Sequence, residues 1–90
     1  MEYGKYIILK DGYTPILFPP NLTHINVAEG FGDTENVLSA GFFEVSAKPD
    51  KDDLDNISVS VFGESTSLGK KVNKDKDQFF IKRLLRKQEF

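Results

Sequence analysis

Asp11-Gly12 lies between two aromatic and β-branched runs, Lys5 to Lys10 and Tyr13 to Phe18. Gly adopts the positive φ that a tight turn demands, and an Asp-Gly pair flanked by strand formers is the strongest short-range hairpin signal. The two runs read as the first and second strands. Pro15 cannot donate to a ladder, so the second strand belongs at a sheet edge or is broken there, and Pro19-Pro20 ends it.

Beyond the prolines, Thr23 is placed to cap a helix of at most two turns through His24-Ile25-Asn26-Val27-Ala28-Glu29, terminated by Gly30 or Gly32. From Val37 to Ala47 residues alternate, with Val37, Ser39, Gly41, Phe43 and Val45 on one face and Leu38, Ala40, Phe42, Glu44 and Ser46 on the other. That period is a strand's. After a polar turn at Lys48 to Asp53, Ile57, Val59 and Val61 alternate with Ser58, Ser60 and Phe62 as a fourth strand pairing back on the third. Asp75 followed by Gln78 resembles a capping box. Phe80 with Leu84 and Ile81 with Leu85 then form apolar i,i+4 pairs opposite Lys82, Arg83, Arg86 and Lys87, as in a helix that packs on the sheet. The expected architecture is α+β, a small antiparallel sheet of about four strands with two helices in the order ββαββα.

Ninety residues suit a single domain, and the 39% hydrophobic and 29% charged composition is that of a folding chain. A chain this short buries only about 60–65% of the surface it exposes when unfolded. With eight Phe and three Tyr to accommodate, a homodimer or larger oligomer is expected, by sheet extension or by docking of the terminal helix. There is no Cys, which removes disulfides, thiolate metal sites and cysteine nucleophiles. The segment from Met1 to Lys5 lacks a basic n-region and Ile7-Ile8-Leu9 is too short for a signal or a membrane span, so a soluble cytoplasmic protein is expected. Asn21-Leu22-Thr23 and Asn56-Ile57-Ser58 then read as turn and strand-start chemistry rather than glycosylation sites.

The net charge of −2 is unevenly spread. Residues 1–47 hold two Lys against six acids, residues 48–69 two Lys against five, and residues 70–90 eight basic residues against three acids. Lys70, Lys71, Lys74 and Lys76, followed by the basic helix face, would suit phosphates. The interspersed acids and acidic remainder favour a solvated helix face instead, and nucleic acid is not the expected partner.

Three stretches bear on chemistry. A serine nucleophile needs a base to take its proton, and His24 with Ser65 or Ser67 would be the set. Nothing in the sequence joins them, and a lone His on a short helix reads as a surface or capping residue. Asp50-Lys51-Asp52-Asp53-Leu54-Asp55 has the look of a calcium loop, but Asp55 stands where an EF-hand needs Gly and Val61 where it needs a bidentate acid. It reads as a solvated turn. The third stretch runs from Gly63 to Lys71. Gly63 and Gly69 permit close backbone approach, Ser65, Thr66 and Ser67 offer hydroxyls, and Lys70 and Lys71 add charge, the ingredients of an anion cradle that His24 could join. As a Walker A motif it fails, with five residues between its glycines and Lys71 where Ser or Thr should hold magnesium. The competing reading is a structural loop whose serines satisfy backbone groups. No catalytic residue, metal ligand or cofactor is assigned.

Ser39-Ala40-Gly41-Phe42, Gly63 to Gly69 and Asp75 to Leu85, together with Phe18-Pro19 and the His24 helix, resemble the pattern of small uncharacterised proteins of tailed bacteriophages and prophages. The resemblance implies a phage or prophage origin and a host-cell location, and it transfers no activity. The acidic turn from Pro49 to Asp55 and the segment from Lys70 to Lys76 depart from that pattern. The expected function is a non-enzymatic module binding a host or phage protein, for instance as an inhibitor of a host or defence protein; the alternative is a protein holding a nucleotide or other phosphate-containing anion without turnover.

Overall fold

The computed structural model describes residues 2–32, 34–47 and 57–87. Four strands, β1 (Glu2–Leu9), β2 (Thr14–Phe18), β3 (Val37–Ala47) and β4 (Ile57–Phe62), form an antiparallel sheet in the order β2-β1-β3-β4. Helix α1 (His24–Gly30) lies between β2 and β3, and α2 (Lys74–Lys87) closes the described chain. The class is α+β as expected; short 3-10 turns at Asp11–Tyr13 and Thr34–Asn36 aside, the order of strands and α-helices departs from ββαββα by one feature. Residues 63–71 carry a second, two-stranded sheet, β5 (Glu64–Ser65) paired with β6 (Lys70–Lys71). Two residues per strand are too few to show an alternation, so this hairpin reads as loop from sequence.

The first hairpin forms where Asp11-Gly12 predicts it. Leu9 faces Thr14, so the connection takes four residues, and both Gly12 (φ 70°) and Tyr13 (φ 51°) adopt positive φ. The Pro15-bearing strand is at the edge. Thr23 caps α1 as expected, its hydroxyl accepting from Asn26 N at 3.3 Å.

Each face of the sheet is covered. One face buries Tyr6, Ile8, Phe43 and Val61 under Ile81 of α2, with Leu17, Val45, Val59, Val72, Phe80 and Leu85 packed around them. Truncating a fully buried residue such as Ile81 to Ala typically costs about 2–5 kcal/mol. The other face buries Ile7, Phe18, Val37 and Ala40 against Ala28 and Val27 of α1 and Leu68 of the β5–β6 hairpin. Val37 is on the opposite side from the sequence expectation. The register between β1 and β3 shifts between Ile8 and Leu9, with Ile8 facing Ser39 and Leu9 facing Val37. Leu38 is the extra residue of a bulge and is left exposed, which moves Val37 to the α1 face.

Two further expectations are corrected at α2. The helix starts at Lys74, so Asp75 lies inside its first turn and is not its cap. Gln78 does not reach back along the helix; its Oε1 accepts from Val61 N of β4 at 3.2 Å. The side chain that reaches back is Asp77, which accepts from Asn73 N at 2.9 Å. The acidic turn at Asp50 to Asp55 lies outside the described residues.

Candidate functional site

The side chains singled out between Gly63 and Lys71 fall into two groups. Ser65 is buried and occupied within its own hairpin: its Oγ accepts from Leu68 N at 3.3 Å and lies 3.3 Å from Ser67 Oγ. Lys70 faces Ser65 across the two-stranded ladder, and Lys71 lines a different, smaller cavity with Ser39, Asn73 and Asp77. Gly63 (φ 75°) turns the chain with no room for a side chain, because a Cβ there would stand 2.9 Å from the Phe42 ring; Gly69 (φ 66°) closes the hairpin turn. These positions build the hairpin.

Thr66 and Ser67 form the second group. They share a cleft of about 250 Å³ with Lys5, Thr23, His24, Ile25, Phe42 and Glu64. His24 thus meets two of the loop's hydroxyl residues, although more than forty positions separate them, because α1 and the β5–β6 hairpin pack on the same face of the sheet. Lys5 and Phe42, neither of them singled out by the sequence, are neighbours on the central strands, facing one another in the β1–β3 register. The Lys5 ammonium stands 5.7 Å from the Phe42 ring centroid and donates to the Leu22 carbonyl at 2.9 Å.

His24 is 5% exposed, wedged edge-on between the rings of Phe18 and Phe42. Its Nε2 donates to the Gly41 carbonyl at 2.8 Å. A carbonyl only accepts, so the proton is on Nε2 and Nδ1 is the bare acceptor nitrogen. Burial lowers the imidazole's pKa below its ordinary value; the Gly41 hydrogen bond opposes that shift and the Lys5 charge adds to it. The ring is therefore neutral at pH 7. No serine hydroxyl is hydrogen-bonded to it among the described residues, so the pair that hydroxyl activation requires is not assembled.

A buried polar cluster lies under α2 on the opposite face. Asp77, 1% exposed, accepts from Tyr6 OH at 2.5 Å and Asn73 N at 2.9 Å on Oδ2, and from Ser39 Oγ at 2.8 Å on Oδ1. Burial pushes the Tyr6 phenol far above its ordinary pKa, with the hydrogen bond to Asp77 and that residue's negative charge adding to the shift. The phenol is a permanent donor here, and the cluster ties the first turn of α2 to β1 and β3.

Aromatic side chains also remain in water. Tyr13 stacks on Phe80 at 5.3 Å between centroids, Phe79 meets Phe80 edge-on, and the Arg83 guanidinium lies 5.8 Å and 5.4 Å from the two Phe rings. Phe79 is 61% exposed and Tyr13 52%. On the other face, Tyr3, Phe42 and Phe62 form a triangle of nearly parallel rings with centroids 5.7–6.3 Å apart. No helix among the described residues is long and apolar enough to cross a membrane. No protein-family model, curated protein or solved structure matches this chain, and the function is read from these surfaces.

Proposed function

We propose that this chain is a non-enzymatic protein-interaction module whose contact face is the ledge made by Tyr13 on the first hairpin and Phe79, Phe80 and Arg83 on α2. One observation carries the reading. Tyr13 holds a positive φ that costs a bulky L-residue about 1 kcal/mol, and it does so while half its surface stays in water beside a still more exposed Phe79. Folding gains little from that arrangement, whereas Tyr, Phe and Arg preassembled around a shallow hollow are the composition of interface anchors. The exposed residues around the ledge include Lys74, Lys76 and Arg83 against Asp75, so an apolar patch with an acidic rim is the complementary partner surface. The resemblance to small phage and prophage proteins supports a bacterial or phage protein as that partner.

The test is affinity capture from bacterial lysate with the wild-type protein and with a Phe79→Ala/Arg83→Ala variant shown to be folded by circular dichroism. A partner retained by the wild type and lost by the variant is expected. Capture of nothing above background by folded wild type, or of the same protein by both, removes the reading. Light scattering separates the homo-oligomer: a mass at the 10.2 kDa of one chain excludes it, and a doubled mass that reverts in the variant makes a second copy the occupant of the ledge.

A further inference from the structure

The cleft between α1 and the β5–β6 hairpin holds both signs of charge. Lys5 and Glu64 line it, and neither forms an ion pair among the described residues. Lys70 and Lys71 do not line it, so Lys5 is the one cation in its lining, and Glu64 beside it would repel a phosphate. Its volume of about 250 Å³ also falls below the roughly 300–1,000 Å³ typical of pockets that enclose drug-sized ligands, which argues against a whole nucleotide. The remaining lining combines the Thr66 and Ser67 hydroxyls, the apolar surfaces of Ile25 and Phe42, and a nine-tenths buried imidazole whose Nδ1 has no protein partner among the described residues.

We propose that this cleft binds a small zwitterion, an α-amino acid, with its ammonium held by Glu64 and His24 and its carboxylate by Lys5. An ammonium needs acceptors, and Glu64, the bare Nδ1 and the two hydroxyls are acceptors, while the Phe42 ring adds a face that attracts cations. The carboxylate needs donors. Lys5 spends one of its three on Leu22, which fixes its position and leaves two for a ligand. Phe42 and Ile25 offer the ligand side chain an apolar surface. A ligand without net charge matches a lining in which the two side-chain charges oppose one another. The site is on the face away from α2 and is independent of the Tyr13–Phe79 ledge.

The experiment is a thermal-shift series with individual free L-amino acids, repeated for each hit with its N-acetyl and its methyl-ester forms, and with inorganic phosphate and glucose. At least one free amino acid at saturating concentration is expected to raise the melting temperature by about 5 °C or more. Both blocked forms should fail to do so. Glu64→Gln and Lys5→Met should each abolish the shift, and Glu64→Gln, at an exposed position, should leave the unliganded melting temperature unchanged. In amide NMR spectra the same ligand should move the Thr66, Ser67 and Ile25 resonances. No shift with any amino acid, an equal shift from a blocked form, or a shift from phosphate or glucose alone overturns the proposal.

Discussion

Asp77→Ala is the substitution that most directly tests the account of how α2 is fastened. It strands three donors at once: the Tyr6 hydroxyl, the Ser39 hydroxyl and the Asn73 backbone N–H, now 2.5–2.9 Å from the carboxylate oxygens. A net hydrogen bond to a charged group contributes about 1.5–3 kcal/mol, and a buried donor left without a partner costs about 1–3 kcal/mol. Tyr6 is fully buried and cannot turn to water, whereas Ser39 and Asn73 border the small cavity beside Lys71, where water can replace part of what they lose. The loss is therefore about 3–5 kcal/mol, against a total stability of roughly 5–13 kcal/mol for a domain of this length. Asp77→Asn keeps the shape: its carbonyl oxygen can serve Tyr6 and Asn73 while its amide donates to Ser39 Oγ, so it should cost only about 1–2 kcal/mol. The assay is urea unfolding followed by far-ultraviolet circular dichroism, with Tyr6→Phe and Ser39→Ala completing a set that remains measurable if Asp77→Ala is too unstable. Equal costs for the Asn and Ala variants, or a cost below about 1 kcal/mol for Tyr6→Phe, would refute the reasoning.

Gly41→Ala places a Cβ 2.3 Å from Val72 Cγ1 and 2.9 Å from the Phe62 carbonyl, and the second of these is backbone; a loss of about 1–3 kcal/mol or more in urea unfolding is expected. His24 binds a proton less readily folded than unfolded. Its contribution to stability is therefore complete above the unfolded pKa of about 6.5 and is lost as the pH falls below it. Melting temperatures measured between pH 7.5 and 5.5 should fall, and a folded His24→Gln variant should show a shallower decline. Tyr13→Asn keeps a residue that tolerates positive φ and removes the exposed ring. Its stability should change by less than about 1 kcal/mol in urea unfolding, while capture of the partner weakens.

Where a signal is local, the chain discloses it. The Thr23 cap and the alternation through Ile57–Phe62 each act within a few residues and form as read; Asp11-Gly12 places the hairpin correctly, although Tyr13, read as the start of the second strand, belongs to the turn, and the alternation through Val37–Ala47 finds the strand. The bulge at Leu38 is set by the partner strand, so the alternation alone assigned Val37 to the wrong face. Asp77 is hidden differently. Within Lys74-Asp75-Lys76-Asp77 it looks like one more solvated charge, yet it lies four residues before Ile81 and eight before Leu85, on the apolar side of the helix. That spacing was the available clue. The cleft was half visible: the hydroxyls and His24 were on view, but Lys5 and Phe42 belong to strands whose pairing must be known before they can be placed beside them.

The Gln78 side chain on Val61 occupies one donor of the outermost strand β4. Val61 turns its N–H outward, and a new strand joining at β4 would first have to unseat the glutamine that occupies it. Alternation of backbone direction carries across the registered pairs Phe62–Phe42, Gly41–Tyr6 and Ile8–Pro15, and it turns the Pro15 nitrogen to the outer side of β2, where no hydrogen remains to offer. One border of the sheet is thus guarded by an amide from a helix and the other by an imino acid. Each border lacks one of the donors that an added strand would pair with, and on the outer side of β2 it is Leu17, two residues on from Pro15, that still has a hydrogen to offer.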